Sequence, residues 1–160
     1  MNPTKNDIAA DKRETLCQLL NERLADLIDL QLQAKQAHWN VKGPQFIALH
    51  ELFDGVAGAA AEFVDTVAER IVMLGGTAEG AVGTVGQRTK LAAYPLGITS
   101  GREHVDALSS ALAAAGKSVR AAIDRAAELG DADTADIFTG VSRGIDMKLW
   151  FVEAHLQGVN

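Results

Sequence analysis

Two pairs of residues, each spaced by four, stand in one stretch of the chain: His50 with Asp54, and Asp65 with Glu69. On a helix, that spacing puts the members of a pair on adjacent turns of one face. Imidazole mixed with carboxylate suits iron, zinc, manganese or nickel, not calcium alone. At about 100° per residue, His50 and Glu69 differ by roughly 100° around the helix, with Asp54, Gly58, Ala61 and Asp65 between them. Carboxylates beside a core stripe ordinarily mark a solvated face. Here the middle of the stripe is Gly58-Ala59-Ala60-Ala61, not the Lys and Glu of a wet surface.

One chain cannot bring both pairs to one metal. Asp54 and Asp65 lie roughly 16 Å apart along a helix axis, whereas metal–ligand bonds are about 2 Å. The pairs 50/69 and 54/65 are both centred between residues 59 and 60. A second copy, antiparallel across a two-fold axis at that point, sets His50 against its mate's Glu69 and Asp54 against its mate's Asp65. The helices then cross at the small residues, and two identical sites result. His38 joins them: the turn at Gly43-Pro44 makes a hairpin in which His38 lies beside Leu49 or His50. Each expected site holds His38, His50 and Asp54 of one subunit with Asp65 and Glu69 of the other.

Four amphipathic helices position these residues. Leu16, Leu20, Leu24 and Leu27 recur at helical spacing through Ala34 to His38. Asp11 with Glu14 resembles a capping-box start for this helix. A second helix runs from about Phe46 to Leu74, with a core stripe of Phe46, Leu49, Phe53, Val56, Ala60, Phe63, Val67 and Leu74, and ends at Gly75-Gly76. Ser100 with Glu103 opens a third, which Gly130 stops. Asp131 or Asp133 caps a fourth, carrying Val141, Ile145, Leu149, Val152 and Leu156. The connection from Gly75 to Thr99 is long, with a short helix expected from Val85 to Leu91. A helix of ~28 residues spans roughly 42 Å, and this connection can return along it. The fold class is therefore all-α: a four-helix bundle of ferritin-like topology with a short extra helix in the crossover. A short tail (1–10) precedes a single domain (11–160).

Bulk properties exclude several classes. Hydrophobic residues make up 48% and charged residues 22%, a globular balance. No apolar run approaches the ~18 residues that span a membrane, and the start has no secretory pattern. Cys17 alone makes no internal disulfide and reads as a small apolar helix residue. These features point to the cytoplasm. The net charge of −6 disfavours nucleic acid and is compatible with cations.

The chain resembles the Dps family of mini-ferritins from about Leu20 to Leu156. The resemblance rests on Lys35-Gln36-Ala37-His38-Trp39-Asn40-Val41-Lys42-Gly43, on His50-Glu51-Leu52-Phe53-Asp54 and on Asp65-Thr66-Val67-Ala68-Glu69-Arg70. Thr134 to Phe138 and Leu149-Trp150-Phe151 add to it. It implies a dodecamer built from two-fold dimers, with ferroxidase sites at those interfaces. There Fe2+, as substrate, is oxidised preferentially by hydrogen peroxide, and Fe3+ mineral is stored inside. It also implies that Trp39, beside His38, takes up stray oxidising equivalents. Acidic ion pores are expected where three subunits meet, at Asp136 first and Asp131 second.

Two rivals fare worse. A di-iron carboxylate enzyme needs Glu-x-x-His within one chain; none occurs, and Glu153-Ala154-His155 has the wrong spacing. A non-catalytic shell would be expected to lose some of the five ligands, and all five are present. His104 and His155, among charged neighbours, read as surface residues. DNA binding, which would add association with the nucleoid, is expected to be weak or absent. From Met1 to Thr15, Lys5, Lys12 and Arg13 are balanced by Asp7, Asp11 and Glu14, and Leu156 to Asn160 carries no cation.

Overall fold

The apolar stripes fold as their period requires. In the computed structural model, which describes residues 1–157, five helices form: α1 (Ala10–Asn40), α2 (Phe46–Met73), α3 (Val82–Arg88), α4 (Gly101–Glu128) and α5 (Ala132–Glu153). The domain's last three residues, and with them part of the uncharged C-terminal stretch, lie outside the described residues. Leu16, Leu20, Leu24 and Leu27 of α1 meet Leu49, Phe53, Val56 and Val67 of α2 in one core. Val105, Leu108, Leu112 and Val119 of α4 join them, with Phe138, Val141, Ile145 and Val152 of α5.

The helix ends follow local chemistry in most places. Ser100 and Glu103 form the expected reciprocal capping box of α4. Asp131 caps α5 by accepting from the Thr134 N–H at 3.1 Å. Gly75 takes φ 87°, and a side chain there would strike the Asn2 carbonyl, 2.7 Å from an added Cβ. The start of α1 corrects the sequence reading. Its N-cap is Ala9, which makes no side-chain cap, and Asp11 lies in the first turn. There its charge still favours the helix dipole. Arg13 does the anchoring, donating to the carbonyls of Ile8 and Leu74 at 2.9 Å each. With Asn2 N–H bonded to Gly75 O, the first residues lie docked against the end of α2.

α1 packs on α2 and α4, and α5 packs on α4 and α2, so α2 and α4 are diagonal partners. The Lys42 N–H donates to Thr99 O at 3.0 Å, which sets the start of α4 beside the α1–α2 turn. The connection between α2 and α4 therefore travels the length of the bundle, as expected. Its short helix spans 82–88, three residues earlier than the sequence suggests. Thr89 and Lys90 are held by α1 instead: Thr89 Oγ1 donates to Asp29, and Lys90 N–H to the buried Asp26. Gln33 then donates to Ala92 O at 3.0 Å, continuing this strap along α1.

Candidate metal centre

Hairpin geometry brings His38 and His50 together. Their rings stack with centroids 3.7 Å apart and planes 22° from parallel. His38 Nδ1–H donates to the His50 carbonyl at 2.7 Å, and His50 Nδ1–H donates to the His38 carbonyl at 2.8 Å. A carbonyl can only accept, so both Nδ1 atoms carry the proton. That leaves Nε2 as the nitrogen whose lone pair can meet a metal. This is the arrangement by which an outer hydrogen bond fixes the tautomer and aim of a metal-binding imidazole.

Asp54, one turn beyond His50, is exposed and forms an ion pair with Lys35. The Lys35 ammonium holds the Asp54 carboxyl below the usual carboxylate range. The sequence reading gives Lys35 no role at the centre, although it stands three residues before His38 and so shares its face of α1. Asp65 and Glu69 are exposed further along α2. Among the described residues, no three His, Cys, Asp or Glu of one chain gather into a group that could hold a metal. The chain alone thus presents a histidine pair with a lysine-held aspartate at one end of α2, and two free carboxylates at the other.

The surface of α2 repeats the symmetry of its candidate ligands. Phe46, the supposed start of the core stripe, is 43% exposed, with its ring 5.1 Å from His50. Ile47, Val72 and Met73 are also exposed. The pairs 46/73 and 47/72 are centred between residues 59 and 60, like 50/69 and 54/65. A two-fold there would cover these apolar side chains pairwise. At the centre, a Cβ added to Gly58 would meet nothing within 4 Å, so the subunit's own packing does not require a glycine there. Trp39 extends this apolar end, 66% exposed.

Two sequence expectations change. Asp131 is buried, and Arg70 Nη2 spans both its oxygens at 2.8 and 2.9 Å. Burial pushes its carboxyl up, but the hydrogen bonds from Arg70 and Thr134 outweigh that and hold it low. A carboxylate committed inside the subunit cannot also line a pore. Asp136 is exposed near the start of α5 and remains available. His104 is not a surface residue: it is 1% exposed, behind Phe53, with Nδ1 2.8 Å from the Tyr94 hydroxyl. Arg102 and Glu103 beside it are exposed, which masks its inward face in the sequence.

Comparison with known proteins agrees with this architecture. A family profile for the ferritin-like domain matches residues 17–160. The chain is 51% identical over 154 residues to the DNA protection during starvation protein of Agrobacterium fabrum, covering 96% of this chain and 95% of that one. It is similar to the structure of Dps from Microbacterium arborescens in the high iron form, with TM-score 0.86 and 36% identity over 97% of this chain and 99% of the other. The Mycobacterium smegmatis Dps structure gives TM-score 0.93 at 29% identity, covering 98% and 96%.

Proposed function

Since the chain belongs to the ferritin-like Dps family, we propose that it is a ferroxidase and iron-storage protein whose centres are shared across a two-fold dimer. The observation that carries this reading is the reciprocal hydrogen bonding of His38 and His50, which frees both Nε2 atoms for a cation. Asp54 completes one half of the centre, and Asp65 and Glu69 of a second copy supply the other. Two imidazoles and three carboxylates suit Fe2+, and anionic oxygens favour the Fe3+ product.

Lys35 keeps Asp54 ionised until a cation displaces the ammonium. Hydrogen peroxide takes one electron from each of two Fe2+ and two protons, leaving two Fe3+ and two waters. Removing Fe2+ and peroxide together protects DNA without any contact with it, in keeping with the name of the Agrobacterium relative. The product is stored as ferric mineral in a dodecameric cage in the cytoplasm, with Asp136 drawing Fe2+ through the pores. DNA binding is weak or absent: the docked N-terminal residues leave few cations free to meet phosphates. Stopped-flow absorbance after anaerobic Fe2+ loading tests the reading. Ferric absorbance should rise faster with peroxide than with dioxygen. A rate no greater than that of Fe2+ in buffer overturns it.

A further inference from the structure

The molecule contains one tyrosine, Tyr94, and it is half-buried with its hydroxyl 2.8 Å from His104 Nδ1. The two rings lie nearly parallel, 19° apart, with centroids 6.0 Å from each other. His104 is sealed from solvent, and its Nε2 has no hydrogen-bond partner. Burial pushes its pKa down, against a smaller opposing pull from Glu103, so the resting ring is neutral. In the tautomer that carries its proton on Nε2, the Tyr94 O–H donates to Nδ1. Burial also pushes the Tyr94 hydroxyl up, so no tyrosinate exists at neutral pH.

A tyrosine that loses an electron becomes a strong acid and needs a base in hydrogen-bond contact. His104 is such a base. The pair adjoins α2 through Phe53, one turn from His50. The His104 ring is 6.5 Å from that of Phe53, which follows His50 by three residues.

We propose that Tyr94 and His104 form a proton-coupled redox pair that quenches one-electron oxidants escaping the iron centre. The proposal rests on the ferroxidase reading for its oxidant. When a single Fe2+ meets peroxide, it gives up one electron and leaves Fe3+, hydroxide and a hydroxyl radical. Tyr94 gives the second electron, reducing the radical to hydroxide, and its phenolic proton passes to His104 Nδ1. The products are a neutral tyrosyl radical and an imidazolium. A later Fe2+ returns the electron, and His104 returns the proton. Trp39, exposed and next to His38 in the chain, is the competing sink.

Two experiments on the assembled protein test this. In the first, the metal-free assembly is oxidised by flash-generated ruthenium(III) tris-bipyridine and followed by electron paramagnetic resonance. A tyrosyl signal that narrows with ring-deuterated tyrosine is expected. It should be lost in Tyr94→Phe, which keeps the ring packing, and strongly reduced in His104→Gln. No tyrosyl signal in the wild type, or an equal yield in a folded His104→Gln variant, overturns the pair. In the second, the assembly is loaded with substoichiometric Fe2+, treated with peroxide and freeze-quenched. The same signal should appear, and Trp39 oxidation, read by mass spectrometry, should rise in Tyr94→Phe. Iron oxidation without a tyrosyl signal, and with unchanged Trp39 damage, overturns the proposal while leaving the ferroxidase reading intact. Absence of iron oxidation overturns the ferroxidase reading and the supply of oxidant, while the flash experiment still decides the pair.

Discussion

Complementation between two inactive chains is the sharpest consequence of a shared centre. One chain carries Asp65→Asn and Glu69→Gln; the other carries His50→Ala and Asp54→Asn. Apart from the half-buried His50, these positions are exposed, so the core is untouched. Neither chain alone builds a complete centre. In a mixed dimer, one centre takes His38, His50 and Asp54 from the first chain and intact Asp65 and Glu69 from the second. The other centre combines both defects. Random one-to-one assembly makes half of the dimers mixed, and each restores one centre of two, so about a quarter of the wild-type centres return. A centre within one chain could not respond this way. Asp54 and Asp65 are separated by about 16 Å along α2, and exchanging subunits would repair nothing. The assay is the initial rate of ferric absorbance on assemblies refolded together and verified as mixed by native mass spectrometry. A rate no higher than the mean of the two parent assemblies would refute shared centres.

Four further outcomes follow from the same geometry. Lys35→Met releases Asp54 and should tighten binding of redox-inert Zn2+ in calorimetry, by the modest factor expected of an exposed ion pair; unchanged or weaker binding removes Lys35 from the centre. Asp131→Asn leaves Arg70 buried without its anion and should destabilise the subunit by about 3 kcal/mol, a Tm drop on the order of 10 °C. Because the folded pKa of Asp131 is lowered, its contribution is present above the ordinary carboxylate pKa of about 4 and is lost as pH falls through the folded value. Thermal melts across that window should converge for wild type and variant, and parallel curves would count against the ion pair. Asp136→Asn should slow iron uptake at limiting Fe2+, and an unchanged rate withdraws the pore assignment. In a gel shift at about 50 mM salt, DNA should not be retained; tight binding that weakens steeply with added salt would reveal a basic surface.

The helices and their ends are legible in the sequence because their causes are local. A 3.6-residue period places Leu16, Leu20, Leu24 and Leu27 on one buried stripe, and Ser100 with Glu103 needs only three residues of chain to close its box. The candidate ligand pairs on α2 are legible for the same reason: a rigid helix converts sequence spacing into distance. Even the His38–His50 approach can be read from the turn, because a tight hairpin fixes which residues face each other.

What the sequence does not contain is the outcome of competition between distant groups. Lys35 reaches Asp54 across 19 residues, and Arg70 reaches Asp131 across 61. The second pairing turns a presumed pore acid into an internal anchor. His104 is buried because the bundle's core receives it and the crossover lays Tyr94 against it, whatever the charge of Arg102 and Glu103 beside it in the chain. Local periodicity assigns a face to each residue. Which neighbour occupies that face, and whether a charge meets water or a counter-ion there, is decided only when the crossover and the second hairpin close over the first.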